Sequence, residues 1–308
     1  MRLIVAGTPE VAVPALRELV AHHDVVGVIT MPDARGRRGK TRHPSPLAVA
    51  ATDVGLEVVK TATLKTPEIH DWLRTKEADA VAVIAYGALV PESALNLARY
   101  GWINLHFSLL PAYRGAAPVQ RSIEAGEEHM GVSVFVIDRG LDTGPLLARR
   151  EVDLPPRVTA GEALATLADR GAPVLRQALE DLAAGALTPV PQEDHGVSLA
   201  PQLTSAEGRL DFSQSADVLD RKIRAFSPNP GTWTVVDGVR VKIHAARPSP
   251  PAVDLEPGQF ALRDNAAVVG TGEGALVLER LQPAGRKVIE GHAWVRGWRG
   301  TQRFEEER

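Results

Sequence analysis

The 308-residue chain contains no cysteine. Disulfides, thiolate-ligated zinc, iron–sulfur clusters and thiol nucleophiles are therefore excluded, and a reducing compartment fits. It also lacks an apolar run long enough to span a membrane. The opening Met1-Arg-Leu-Ile-Val-Ala-Gly enters an apolar strand without the longer stretch and cleavage site of a signal peptide, which predicts a cytoplasmic protein. After that strand the chain reads Gly7-Thr8-Pro9-Glu10, so neither a GxGxxG fingerprint nor a Walker-type loop supports NAD or ATP binding. Nor is there an excess of one charge, since a net −3 supplies no global reason to expect nucleic acid.

What is present is an ordinary globular composition, 44% hydrophobic and 24% charged. Its length exceeds the size at which one core usually stops growing, which predicts two domains. Apolar runs at Leu3 to Ala6, Val25 to Thr30, Leu56 to Val59, Ala80 to Ala85, Trp102 to His106 and Val132 to Ile137 alternate with helical patterns such as Val13 to Ala21 and Glu92 to Ala98. That alternation predicts an α/β fold, a Rossmann-like, largely parallel sheet over residues 1–184, with Thr8 as an N-cap before Pro9. A helix over Thr159 to Ala184, bent around Pro173, closes the domain, and residues 185–204 read as a linker. From 205 to 308, a helix (Ser215 to Ala225) precedes short strands at Thr232 to Val236, Val239 to Ala245, Gln259 to Leu262, Ala266 to Thr271 and Ala275 to Leu281. Asp237-Gly238 marks a hairpin, and the strand count predicts a C-terminal OB-like β-barrel followed by a disordered tail from Thr301.

Two constellations carry chemistry. Asn104 and His106 alternate on a strand and so share one face, and Asp142 lies in Asp138-Arg-Gly-Leu-Asp-Thr-Gly144. An amide, an imidazole and a carboxylate are the groups needed to move an acyl group onto an amine; singly, each also fits a structural strand end or a turn. The second constellation is Arg35-Gly-Arg-Arg-Gly-Lys-Thr-Arg42, five cations in eight residues. A solvated surface loop and a phosphate-contacting loop are both open readings. Arg114 and Gly115 open a helical segment whose N-terminus faces either an anion or solvent.

The stretch Asn104 to Asp142, with Ser108-Leu-Leu-Pro111, Tyr113-Arg-Gly115, Pro118 and Gly140-Leu-Asp-Thr-Gly144, resembles the folate-dependent formyltransferases. Val5-Ala-Gly-Thr-Pro, Met31-Pro-Asp33, Ala85-Tyr-Gly87 and Lys222-Ile-Arg-Ala-Phe-Ser-Pro-Asn-Pro-Gly231 extend the likeness, which is strongest to the branch that formylates methionyl-tRNA. The resemblance implies formyl transfer from 10-formyltetrahydrofolate as co-substrate to the α-amino group of methionine on initiator Met-tRNA, with no metal and a monomeric enzyme. It implies Asn104, His106 and Asp142 as catalytic, and Ser108, Leu109, Leu110, Pro111, Tyr86 and Gly87 as folate-binding. Arg35, Arg37, Arg38, Lys40 and Arg42 become contacts to the tRNA acceptor stem. Asn104 and His106 are expected to donate to the developing oxyanion, and Asp142 to hold His106 in one tautomer and manage the proton. Formylation of an amino-sugar nucleotide is the alternative, and a non-catalytic tRNA-binding protein the remoter one. Ser227-Pro-Asn-Pro230 stands where many relatives have Asn-Pro-Trp-Pro, and the Lys-Ile pairing common near Gln202 is missing, so no tRNA residue is assigned in the second domain.

Overall fold

The computed structural model describes residues 1–35, 42–249 and 254–305. Contacts divide the chain into two compact units: Met1–Pro118, His129–Leu154 and Leu164–Ala200 in the first, Val119–Glu128, Pro155–Ala163 and Pro201–Arg308 in the second. The expected linker 185–204 is thus divided, its residues to Ala200 clustering with the first unit.

In chain order come β1 (Arg2–Gly7), α1 (Val13–His22), β2 (Asp24–Thr30), β3 (Ala34–Arg35), β4 (Arg42–His43), α2 (Pro46–Asp53), β5 (Val58–Lys60), α3 (Pro67–Lys76), β6 (Ala80–Ile84) and α4 (Glu92–Leu95). Then follow β7 (Trp102–His106), α5 (Pro118–Ala125), β8 (Gly131–Val136), β9 (Leu146–Glu151) and α6 (Ala160–Ala183), which continues through Pro173. The seven-stranded sheet has the order β5-β2-β1-β6-β7-β8-β9. Its first five strands are parallel, and β8 and β9 are antiparallel. Strands β1 and β6 are apolar without alternation because nearly every residue is buried, as a sheet covered on both faces requires. Between them the strand order reverses, and at such a switch point an open α/β sheet leaves its ligand crevice at the carboxyl ends of the strands.

Thr8 does not cap a helix. Its hydroxyl donates to the Tyr86 carbonyl across this crevice at 2.6 Å, and a 3-10 turn over Glu10–Ala12 precedes α1. The described part of the basic segment is a short hairpin, with Arg35 opposite Arg42 on β3 and β4. Its base is fastened where Thr30 and Ser45 share a 2.7 Å hydroxyl hydrogen bond and Ser45 caps α2.

The second unit contains α7 (Ala216–Ala225), capped by the Ser215 hydroxyl, then β10 (Thr232–Val236), β11 (Val239–Pro248), β12 (Phe260–Arg263), β13 (Ala266–Gly270), β14 (Ala275–Pro283), β15 (Ile289–Glu290) and α8 (Gly291–Gly297). The β10–β11 turn is Asp237-Gly238, both at positive φ (47° and 72°), the geometry of a type I′ hairpin. The antiparallel order is β10-β11-β14-β13-β12, with β15 on β14. This is not the closed OB-like barrel expected: among the described residues no strand pairing joins β10 to β12. The tail lies along the two edges. Phe260 donates to the Gln302 carbonyl, Phe304 to Gly258 and Glu305 to Val235. Exposed strand edges must be covered, and here the tail does the covering. Residues 301–305 are consequently ordered, with Phe304 buried against Phe212, Phe260 and Trp294.

Candidate active site

Strand β7 ends at His106 on the carboxyl edge of the parallel strands. Asn104 pairs with Phe135 and His106 with Ser133 across the antiparallel partner β8, so all four side chains stand on one face. His106 is buried, its ring edge-on to Phe135, while Asn104 is half-buried. Ser133 was not singled out in the sequence. Its hydroxyl donates to the Ser108 carbonyl at 2.7 Å and accepts from the Leu110 amide at 3.0 Å, fastening the loop after β7 to the sheet.

His106 Nε2 lies 2.9 Å from the Tyr113 carbonyl. A carbonyl only accepts, so Nε2 carries the hydrogen of the neutral ring and Nδ1 presents its lone pair. Nδ1 faces Asp142 Oδ2 at 3.8 Å, beyond hydrogen-bond length. The tautomer is therefore set by Tyr113, whereas the expectation gave that task to Asp142. Burial pushes His106 below its ordinary pKa, and this outweighs the opposing pull of the Asp142 carboxylate and the Tyr113 carbonyl. At neutral pH the ring is uncharged and able to take a proton on the side facing Asp142.

Asp142 is positioned by backbone. The Gly115 amide donates to its Oδ2 at 2.7 Å, and the residue itself sits in the left-handed region at φ 51°. Ala85 (φ 47°) and Tyr113 (φ 60°) share that conformation, which costs a side-chain-bearing residue roughly 1–3 kcal/mol and tends to concentrate where function requires it. Arg114 and Gly115 do not open a helix, since α5 begins at Pro118. Instead Arg114 forms a parallel bridge with Leu199 and donates through Nε and Nη2 to the Gln192 side chain.

The remaining expected residues fall into two groups. Ser108 is buried with its hydroxyl donating to the Ala112 carbonyl, and Leu110 and Pro111 are buried, so these side chains turn into the protein and Leu109 is the more accessible. Tyr86 is buried too, its hydroxyl donating to the Thr61 carbonyl and pushed up to about 12 by desolvation. Gly87 leaves the crevice at φ 93°. Arg42 is exposed on β4 and Arg35 lies on β3, whereas Arg37, Arg38 and Lys40 lie outside the described residues. Two cavities of the first unit, about 850 and 980 Å³, are lined by β9 with α6 and by α4 with residues 136–140; neither lining includes Asn104, His106 or Asp142.

The chain belongs to the formyl transferase family, whose model matches residues 1–179, with the model for the family's C-terminal domain matching residues 202–299. Among its relatives is the methionyl-tRNA formyltransferase of Thermobifida fusca, 45% identical with 97% of each chain covered. That of Streptomyces coelicolor is 44% identical, with 98% of each covered. Among solved structures, WlaRD, a sugar 3N-formyl transferase crystallised in the presence of dTDP and 5-N-formyl-THF, shares the fold. It superposes with a TM-score of 0.67 at 17% identity, covering 93% of this chain and 99% of that one. No helix among the described residues is long and apolar enough to cross a membrane.

Proposed function

We propose that the chain transfers a formyl group from 10-formyltetrahydrofolate to the α-amino group of methionine on initiator tRNA. The observation that carries the reaction is the buried, neutral His106 with its Nδ1 directed at Asp142, on the same face as Asn104. The attacking amine is the nucleophile, so no covalent enzyme intermediate is needed. As the new C–N bond forms at the formyl carbon, the amine becomes cationic and the formyl oxygen anionic. Asn104 donates to that oxygen from its amide. His106 Nδ1 takes the amine proton, and the resulting imidazolium meets the Asp142 carboxylate at 3.8 Å. At the effective dielectric of a protein site that attraction is about 4 kcal/mol before desolvation. The bond from the formyl carbon to the folate nitrogen then breaks, and the proton returns to that nitrogen.

Ser108 to Pro111, with Tyr86 and Gly87, form the folate side of the site, Leu109 and the loop backbone making the contacts. A folate donor is supported by the 5-N-formyl-THF present with WlaRD. For the acceptor, support comes from the relatives' names and from the hairpin of β3 and β4. It leaves the sheet after β2, at the same carboxyl edge as His106 and three strand spacings, about 14 Å, across from β7. Arg35, Arg37, Arg38, Lys40 and Arg42 contact acceptor-stem phosphates, giving an affinity that falls with salt. The C-terminal antiparallel sheet acts as the module holding the rest of the tRNA, and the enzyme works as a cytoplasmic monomer without a metal.

The test is single-turnover formylation with charged initiator tRNA and, separately, a dTDP-amino-sugar as acceptor. The tRNA should be formylated, and Asn104→Ala, His106→Ala and Asp142→Ala should each slow the step by about 10²–10⁴-fold. Replacing Arg37, Arg38 and Lys40 with alanine should weaken tRNA use while folate affinity holds. Formylation of the sugar alone would overturn the acceptor, and three unchanged rates would overturn the site.

A further inference from the structure

We propose that Gln192 is a positioning residue for formyl transfer, acting through the backbone of Asp142; the proposal rests on the role given to Asp142 above. Gln192 lies in the stretch that reads as a linker, yet it is half-buried while Pro191 and Glu193 beside it are exposed. Its amide nitrogen donates to two carbonyls, those of Asp142 and Gly144, each at 2.8 Å. Its amide oxygen accepts from Arg114 Nε at 3.1 Å and Nη2 at 2.7 Å. One side chain therefore ties the turn that bears the carboxylate to the loop that faces it.

That loop sets both partners of the His106–Asp142 pair. Tyr113 supplies the carbonyl that orients His106, and Gly115 supplies the amide that holds Asp142. The same strap grips it further along. Ser198 Oγ accepts from the Tyr113 amide at 2.8 Å, the Ser198 carbonyl accepts from Arg114, and Ala200 accepts from Ala117 while donating to Arg114. Asp142 and Tyr113 both occupy left-handed backbone, which aspartate tolerates and tyrosine does not favour, so the loop at Tyr113 in particular needs support from outside. The Gln192 side chain reaches both segments. A carboxylate at 192 keeps the acceptor for Arg114 but opposes oxygen to two carbonyl oxygens.

The experiment compares Gln192→Ala, Gln192→Glu, Asp142→Ala and the Gln192→Ala/Asp142→Ala double variant in single-turnover formylation of Met-tRNA, with KM for both substrates and thermal melting of each protein. Gln192→Ala should lose about 10–100-fold in rate, the loss typical of a sub-ångström to ångström misplacement of a reacting group. KM values should stay within twofold of wild type. Gln192→Glu should be no faster than Gln192→Ala. In the double variant the Gln192 change should have no further effect, because the group it positions is gone. Additive losses, or a wild-type rate in either single variant at 192, would overturn the proposal while leaving the Asp142 reading intact. A wild-type rate for Asp142→Ala would overturn both. Should Gln192→Ala fail to fold, Gln192→Glu, which preserves volume and the Arg114 contact, decides by the same criteria.

Discussion

Replacing Gly115 with alanine tests whether the loop facing His106 determines rate as well as stability. Gly115 has φ 124°, where a side chain costs roughly 1–3 kcal/mol. A Cβ there would sit 2.8 Å from the Ala200 carbonyl oxygen and 3.3 Å from its carbon, both backbone atoms that cannot rotate away. Restoring an ordinary 3.4 Å contact requires the two segments to part by 0.6 Å, the difference between those distances. The Gly115 amide donates to Asp142 Oδ2 at 2.7 Å, so the same displacement stretches the bond that holds the carboxylate against His106. If an ångström of misplacement costs about 10²-fold, 0.6 Å predicts a rate loss on the order of 10-fold in addition to the stability cost. Gly185→Ala is the matched control: φ is 68° and nothing lies within 4 Å of the new carbon, so it pays the backbone cost without a collision. Both proteins should melt earlier than wild type, but only Gly115→Ala should slow single-turnover formylation. Rates for the two variants within twofold of each other would refute the link between loop position and chemistry.

In the second unit, Asp220 is buried and accepts two hydrogen bonds from Arg157, at 2.8 and 3.0 Å, and one from Arg224 at 2.9 Å. Asp220→Ala leaves two guanidiniums facing each other and should cost about 3 kcal/mol in urea denaturation. This is the low end for a broken buried pair, because the Arg157 side chain is 44% exposed and rehydrates. A loss below about 1 kcal/mol would show that the cluster is not held by this carboxylate. For pH, His106 is pushed below its ordinary value, so as pH falls under about 6.5 the unfolded chain takes up a proton that the folded one refuses. Stability is fully present above that pH and declines below it by up to about 1.4 kcal/mol per unit, until the folded pKa is passed. Melting curves of wild type and His106→Gln should therefore converge as pH drops from 7.5 to 5.5; parallel curves would contradict a neutral, desolvated ring.

The parallel strands were legible because burial on both faces writes them as unbroken apolar runs, as in β1 and β6. Strand β9, Leu-Leu-Ala-Arg-Arg-Glu, was missed because it is the sheet's outer antiparallel edge, and half of it is exposed. Alternation placed Asn104 and His106 on one face, and the Asp237-Gly238 turn needed only its dipeptide. That the sheet stays open was not legible, since its edges are covered by a tail whose apolar residue, Phe304, sits among charges. Polarity within the site was equally hidden. Which nitrogen of His106 keeps a free lone pair follows from a carbonyl at Tyr113, and backbone carbonyls leave no mark in a sequence. Gln192 lacked any periodic signal because its contacts are with backbone atoms and an arginine brought there by the fold. Side chains that do chemistry are readable from their type and spacing; those that hold the backbone beneath them become readable only once the chain is folded. In this molecule the second kind sets the geometry of the first, since the Tyr113 carbonyl holds His106 Nε2 and the Gly115 amide holds the Asp142 carboxylate 3.8 Å from His106 Nδ1.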